Sequence, residues 1–117
     1  GLAISGLYDL EPLVYAPFVN VDLKLDVRRA RRLSPAYMRP ATPAPLYTAV
    51  GALESSEFHR QSALIGKRWM QNVVRDVEVA GCNHLTVCDA LADPASPLFN
   101  AAVELVHGRH QTQAWMT

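Results

Sequence analysis

The stretch Leu46-Tyr47-Thr48-Ala49-Val50-Gly51, followed shortly by Ser55-Ser56-Glu57-Phe58 and a helical repeat that runs to Trp69, decides the fold class. Its first six residues are a short apolar run that ends on glycine, as a strand buried on both faces does. Ser55 or Ser56 can then cap a helix with Glu57 in its first turn. Along that helix Phe58, Ser62, Ile65 and Trp69 recur on one face at i, i+4, i+7 and i+11. A strand that feeds directly into an amphipathic helix is half of a parallel crossover unit.

The same unit recurs on either side. Upstream, Leu2-Ala3-Ile4 is a brief apolar run that turns at Ser5-Gly6, and Asp26 can cap a helix that reaches about Leu33 before Pro35. Between them, Leu7 to Leu13 shows no clean period, and Pro12 and Pro17 limit it to a loop with at most one helical turn. Pro35, Pro40, Pro43 and Pro45 stiffen a surface connection. Downstream, Asp76-Val77-Glu78-Val79-Ala80 alternates, so this third strand has one wet face and suits a sheet edge. A short helix is expected from about Leu85 to Leu91. Ser96 and Pro97 then open a last helix whose buried stripe is Leu98, Ala101, Ala102, Leu105 and Val106, with Gly108 at its end. No internal repeat interrupts this order. Three strands alternating with helices give an α/β fold with a parallel sheet.

Composition narrows the function classes. The chain has 117 residues, 50% of them hydrophobic, and its eleven basic and eleven acidic residues cancel, so no global charge steers it to nucleic acid or to a membrane surface. The run Arg28-Arg29-Ala30-Arg31-Arg32 reads as the solvated, basic end of a short helix. Two cysteines are too few for a disulfide framework, and no signal segment or long apolar span is visible, so a cytoplasmic location is expected. The chain opens on Gly1-Leu2-Ala3 without an initiator methionine, as a strand cut from something larger would. Residues 1–117 are accordingly expected to form a single partial domain.

In parallel sheets, chemistry gathers at the carboxyl ends of the strands. The three loops there begin at Ser5, Gly51 and Ala80, and they hold Asp9, Glu54 and His84. A histidine that takes a proton from a serine and passes it on needs a carboxylate on its other ring nitrogen. Glu54 and His84 suit that pair, and the order of acid before histidine matches the hydrolase sheet. Glu54 also suits a helix N-terminus through dipole attraction alone, and Asp9 is a second candidate for the acid. No Gly-x-Ser-x-Gly elbow occurs anywhere from Gly1 to Thr117, so the chain carries no obvious nucleophile.

Other groupings are weaker. Cys82, His84 and Cys88 match no usual zinc spacing and want a fourth ligand, so no metal is expected. Cys88 reads as a small buried side chain. Cys82 lies too near His84 along the chain for the two to close a hydrogen bond, and Ser55 and Ser56 read as caps. His59, His107 and His110 are expected at the surface.

Taken together, Ser5-Gly6-Leu7-Tyr8-Asp9-Leu10-Glu11-Pro12-Leu13, Ser34-Pro35, Gly51-Ala52-Leu53-Glu54-Ser55-Ser56-Glu57-Phe58-His59-Arg60-Gln61-Ser62 and Asn83-His84 resemble the C-terminal part of kynurenine formamidase-like α/β hydrolases. The resemblance extends to about Phe99. In that family the block after the second of these strands carries the triad acid, aspartate in several relatives, and the Asn-His turn carries the triad histidine. The resemblance therefore implies Glu54 as acid and His84 as base. It places the serine elbow and the oxyanion segment upstream of Gly1, and implies a small ester or aryl-formamide substrate with no cofactor. Tyr8 and Asp9 fall on the loop expected near the substrate, where Leu7, Tyr8 and Leu13 would give apolar walls. The alternative is a non-catalytic half-domain that acts only by association through its open sheet edge at Leu2 to Ile4, with a second copy or with the upstream half of the same domain.

Overall fold

Strands β1 (Leu2–Ile4), β2 (Leu46–Gly51) and β3 (Val73–Val79) form one parallel sheet in the order β1-β2-β3. The structure, a computed structural model, describes residues 1–108. The register sets Ala3 beside Thr48 and Thr48 beside Asp76, with one irregularity between Leu46 and Tyr47. That irregularity marks where β3 begins earlier than its polar alternation suggests, since Val73 to Arg75 are half-buried and only Asp76 to Val79 alternate. The protein is α/β, as expected.

Between β1 and β2 lie α1 (Glu11–Val14), α2 (Pro17–Leu23) and α3 (Val27–Leu33). The stretch Leu7 to Leu13 is a loop that ends in the single helical turn of α1, as expected, and α2 is a further short helix beyond it. Both use proline in the first turn, where its missing N–H costs nothing. Asp26 caps α3 as expected, its Oδ1 accepting from the Arg29 amide at 2.7 Å. The four arginines around Ala30 are exposed.

After β2, α4 (Ser56–Arg68) starts at Ser55, but the Ser55 side chain makes no capping bond, contrary to expectation. Its buried face is Gln61, Ser62 and Ile65, with Phe58 and Trp69 half-buried beside it. After β3 the expected helix is a 3-10 turn, Val87–Ala92. Then α5 (Pro97–Val106) begins with Ser96 accepting from the Leu98 amide. Leu98 and Ala101 are fully buried, whereas Val106 is 84% exposed and does not belong to the stripe. Gly108 follows with φ +67, the left-handed geometry that ends a helix.

The helices cover opposite faces of the sheet. On one face Tyr47, Ala49, Val77 and Val79 pack against Val87, Ala90, Leu98 and Ala101. On the other, Ile65 of α4 meets Tyr8 and Ala36, with Ala3, Leu64, Trp69 and Val73 beside them. A parallel sheet needs both faces covered, so its carboxyl-end loops stay free for chemistry. Among the described residues no helix is long and apolar enough to cross a membrane.

Candidate active site

The loops after β2 and β3 are stitched together at their backbones. Gly51 lies so close to the next loop that a β-carbon there would stand 2.4 Å from the Cys82 carbonyl oxygen. The Ala52 amide donates to the Val79 carbonyl and the Leu53 amide to the Cys82 carbonyl, each at 2.9 Å. A tight turn from Gly51 to Glu54 follows, closed by the Glu54 amide on the Gly51 carbonyl at 3.0 Å.

This stitching delivers Glu54 to His84. Glu54 Oε1 lies 2.7 Å from His84 Nδ1. Its other oxygen, Oε2, accepts from the Gly51 amide at 2.7 Å and from the Ser5 hydroxyl at 2.5 Å. The Glu54 side chain is 0% exposed and that of His84 52% exposed, so a fully buried carboxylate orients a ring that reaches solvent. Burial alone would push the Glu54 carboxyl up, but the Ser5 hydroxyl, the Gly51 amide and His84 together hold it below the ordinary carboxylate value. A carboxylate on Nδ1 selects the tautomer with its proton there and leaves Nε2 as an acceptor. The Phe58 ring, in the first turn of α4, stacks on the imidazole at 4.4 Å between centroids and 25° between planes.

The other sequence candidates lie elsewhere. Asp9 is 6% exposed and its carboxylate meets the Glu11 amide at 3.1 Å and the Arg60 guanidinium at 3.2 Å, so it is not the acid on His84. Tyr8 is buried, its ring against Ala36 and Ile65. Both are held by Gln61, which is fully buried: its Oε1 accepts from the Tyr8 and Asp9 amides at 2.8 and 2.9 Å, and its Nε2 donates to the Asp9 carbonyl at 2.8 Å.

Cys88 is exposed, not buried, because the 3-10 turn carries Val87 and Ala90 inward in its place. His59 is half-buried, with Nε2 3.3 Å from the Ala52 carbonyl oxygen, rather than at the surface. His107 is exposed, and His110 lies outside the described residues. Among the described residues no three His, Cys, Asp or Glu side chains are placed to hold a metal ion. A shallow groove of about 540 Å³ runs between the end of β3 and the start of α5, bordered by Glu78, Cys82, Thr86, Asp89, Asp93 and Ser96. Glu54 and His84 do not line it.

Three participants escaped the sequence reading. Ser5 registered as a turn, Phe58 as part of an apolar face and Gln61 only within the stretch that carries the family resemblance, none of them with a contact role of its own. The signal for Gln61 was present, since it lies between Phe58 and Ile65 on the buried side of α4, where an uncharged polar residue must have partners.

No protein-family model matches the chain. Among solved structures it is similar to a protein of Silicibacter sp. TM1040 provisionally described as a thioesterase, at 31% identity and a TM-score of 0.70. The likeness covers 85% of this chain and 36% of that protein, so the chain spans about a third of the neighbour's length.

Proposed function

We propose that Glu54 and His84 are the acid and base of a serine-hydrolase triad, and that the chain is the C-terminal part of an α/β-hydrolase domain of the esterase or kynurenine formamidase kind. The observation that carries this is the bond from His84 Nδ1 to a carboxylate whose second oxygen is already held by two other donors. A surface ion pair needs no such support, whereas a proton relay needs a fixed ring. The likeness to a protein described as a thioesterase, itself a cleaver of acyl bonds by that name, supports the reading.

In this reading a serine from a segment upstream of Gly1 attacks the acyl carbonyl of an ester, thioester or aryl-formamide. Nε2 of His84 removes the hydroxyl proton as the new C–O bond forms, and Glu54 stabilises the resulting imidazolium. The tetrahedral intermediate collapses, and the proton on Nε2 goes to the departing oxygen, sulfur or nitrogen. Water then attacks the acyl-serine by the same relay and releases the acid. The oxyanion donors also come from upstream. β1 has β2 as its only strand neighbour among the described residues, which leaves its other edge for a strand of that segment.

The test is hydrolysis of p-nitrophenyl acetate, an acyl thioester and N-formylkynurenine by the native polypeptide that carries this chain together with a Gly-x-Ser-x-Gly segment. Turnover that disappears in His84→Ala, with folding intact, is expected. Undiminished turnover in that variant removes His84 from the mechanism.

A further inference from the structure

We propose that Ser5 is a positioning residue for the acid–histidine pair: its hydroxyl holds Glu54 Oε2 so that Oε1 stays on His84. This rests on the hydrolase reading above. A backbone conformation and a side-chain hydrogen bond lead to it independently. The first is backbone geometry: Ser5 has φ 51, the left-handed region where glycine is favoured and a side chain is strained. The conformation begins immediately after β1, with the Ser5 amide still donating to the Ala49 carbonyl at 2.8 Å. A glycine would satisfy the backbone alone but would carry no side-chain donor.

The second observation is what that side chain does. Its Oγ donates to Glu54 Oε2 at 2.5 Å, the length of a hydroxyl bound to an ionised carboxylate. The bond links residues forty-nine positions apart and reaches across from the β1 loop to the β2 loop. With the Gly51 amide at 2.7 Å on the same oxygen, it fills the lone pairs of Oε2 and fixes the plane of the carboxylate. Without Ser5 the carboxylate could rotate about its last torsion and exchange oxygens, and the ring it orients would lose its fixed direction. The left-handed turn is what aims the hydroxyl sideways into the next loop.

The experiment uses the nucleophile-bearing native polypeptide and compares wild type with Ser5→Gly, Ser5→Ala, Ser5→Asn and His84→Ala. Gly relieves the backbone and removes the donor. Asn tolerates left-handed geometry and restores an N–H donor. Expected is a fall in kcat of about 10- to 100-fold for Gly and Ala, the worth of one charge-assisted hydrogen bond, with KM changed less than about two-fold. Asn should recover most of the loss, and the Gly variant should melt no lower than Ala. Wild-type kcat in Ser5→Gly alongside an inactive His84→Ala overturns the role of Ser5 and leaves the hydrolase reading standing. Undiminished activity in His84→Ala overturns the hydrolase reading instead. In that event the positioning contact is judged by carbon-13 NMR titration of the Glu54 carboxyl: a raised midpoint in Ser5→Gly supports it, and an unchanged one overturns it.

Discussion

Gly51 and Cys82 approach so closely that a side chain at residue 51 would meet the backbone of residue 82, with only 2.4 Å between a β-carbon and the carbonyl oxygen. The obstacle is main chain, so no rotamer change relieves it. The loops that carry Glu54 and His84 are therefore spaced by the absence of a side chain.

Gly51→Ala should lower stability by about 1–3 kcal/mol, the range for overpacking a filled site. It should also break the Leu53 amide bond to Cys82 and separate the Glu54–His84 pair. Urea unfolding measures the first effect and imidazole NMR signals the second. A variant with unchanged unfolding and an unchanged His84 spectrum contradicts the spacing role.

Glu54→Gln should show a stability loss that depends on pH. The carboxyl of Glu54 is held below its ordinary value of 4.5, so its contribution is fully present above 4.5 and is lost as pH falls through the lower folded value. Near neutral pH the variant should be less stable by about 1–3 kcal/mol, because an amide offers one acceptor where three donors converge. Below pH 4.5 the gap between the two proteins should close. Thermal melts across the acid range decide this, and a gap independent of pH argues against an ionised Glu54.

Phe58→Ala should leave the fold intact and loosen the His84 ring, which it stacks at 4.4 Å. Aromatic pairs contribute about 0.5–1.5 kcal/mol beyond their buried area, so in the proposed hydrolase acyl turnover should fall several-fold, and Phe58→Tyr should retain it. Equal rates for the Ala and Tyr variants would deny the stack any part in orienting the ring.

Gln61→Leu should be the costliest of these changes to stability. It keeps the volume but leaves the Tyr8 and Asp9 amides buried without an acceptor, at about 1–3 kcal/mol each. Hydrogen exchange at those two amides should accelerate ahead of global unfolding. Wild-type protection there would mean that the loop after β1 is held by something other than Gln61.

Much of this architecture is legible along the chain. The residues of β1 and β2, the Asp26 cap of α3, and the Ser96-Pro97 start of α5 all follow from signals within a few residues of one another. So does the order of Glu54 before His84. Several of the misjudged positions share one cause. Cys88, Val106 and the start of β3 depend on which face a turn presents to a neighbour, and the local period does not say where that neighbour lies. Ser55 illustrates the same limit, since a favourable cap residue went unused where the chain enters α4 directly from the Glu54 turn.

The sequence by itself determined an α/β chain with three strands, and placed Asp9, Glu54 and His84 at the strand ends, because periodicity, caps and breakers act over about a dozen residues. Only the tertiary structure decided which carboxylate faces His84. Asp9 is taken by Arg60, while Glu54 gathers Ser5, Gly51 and the imidazole. Those contacts join loops that are neighbours only once the parallel register has aligned the carboxyl ends of β1, β2 and β3. Pairing across a sheet is a property of the register, and no local stretch of sequence contains it.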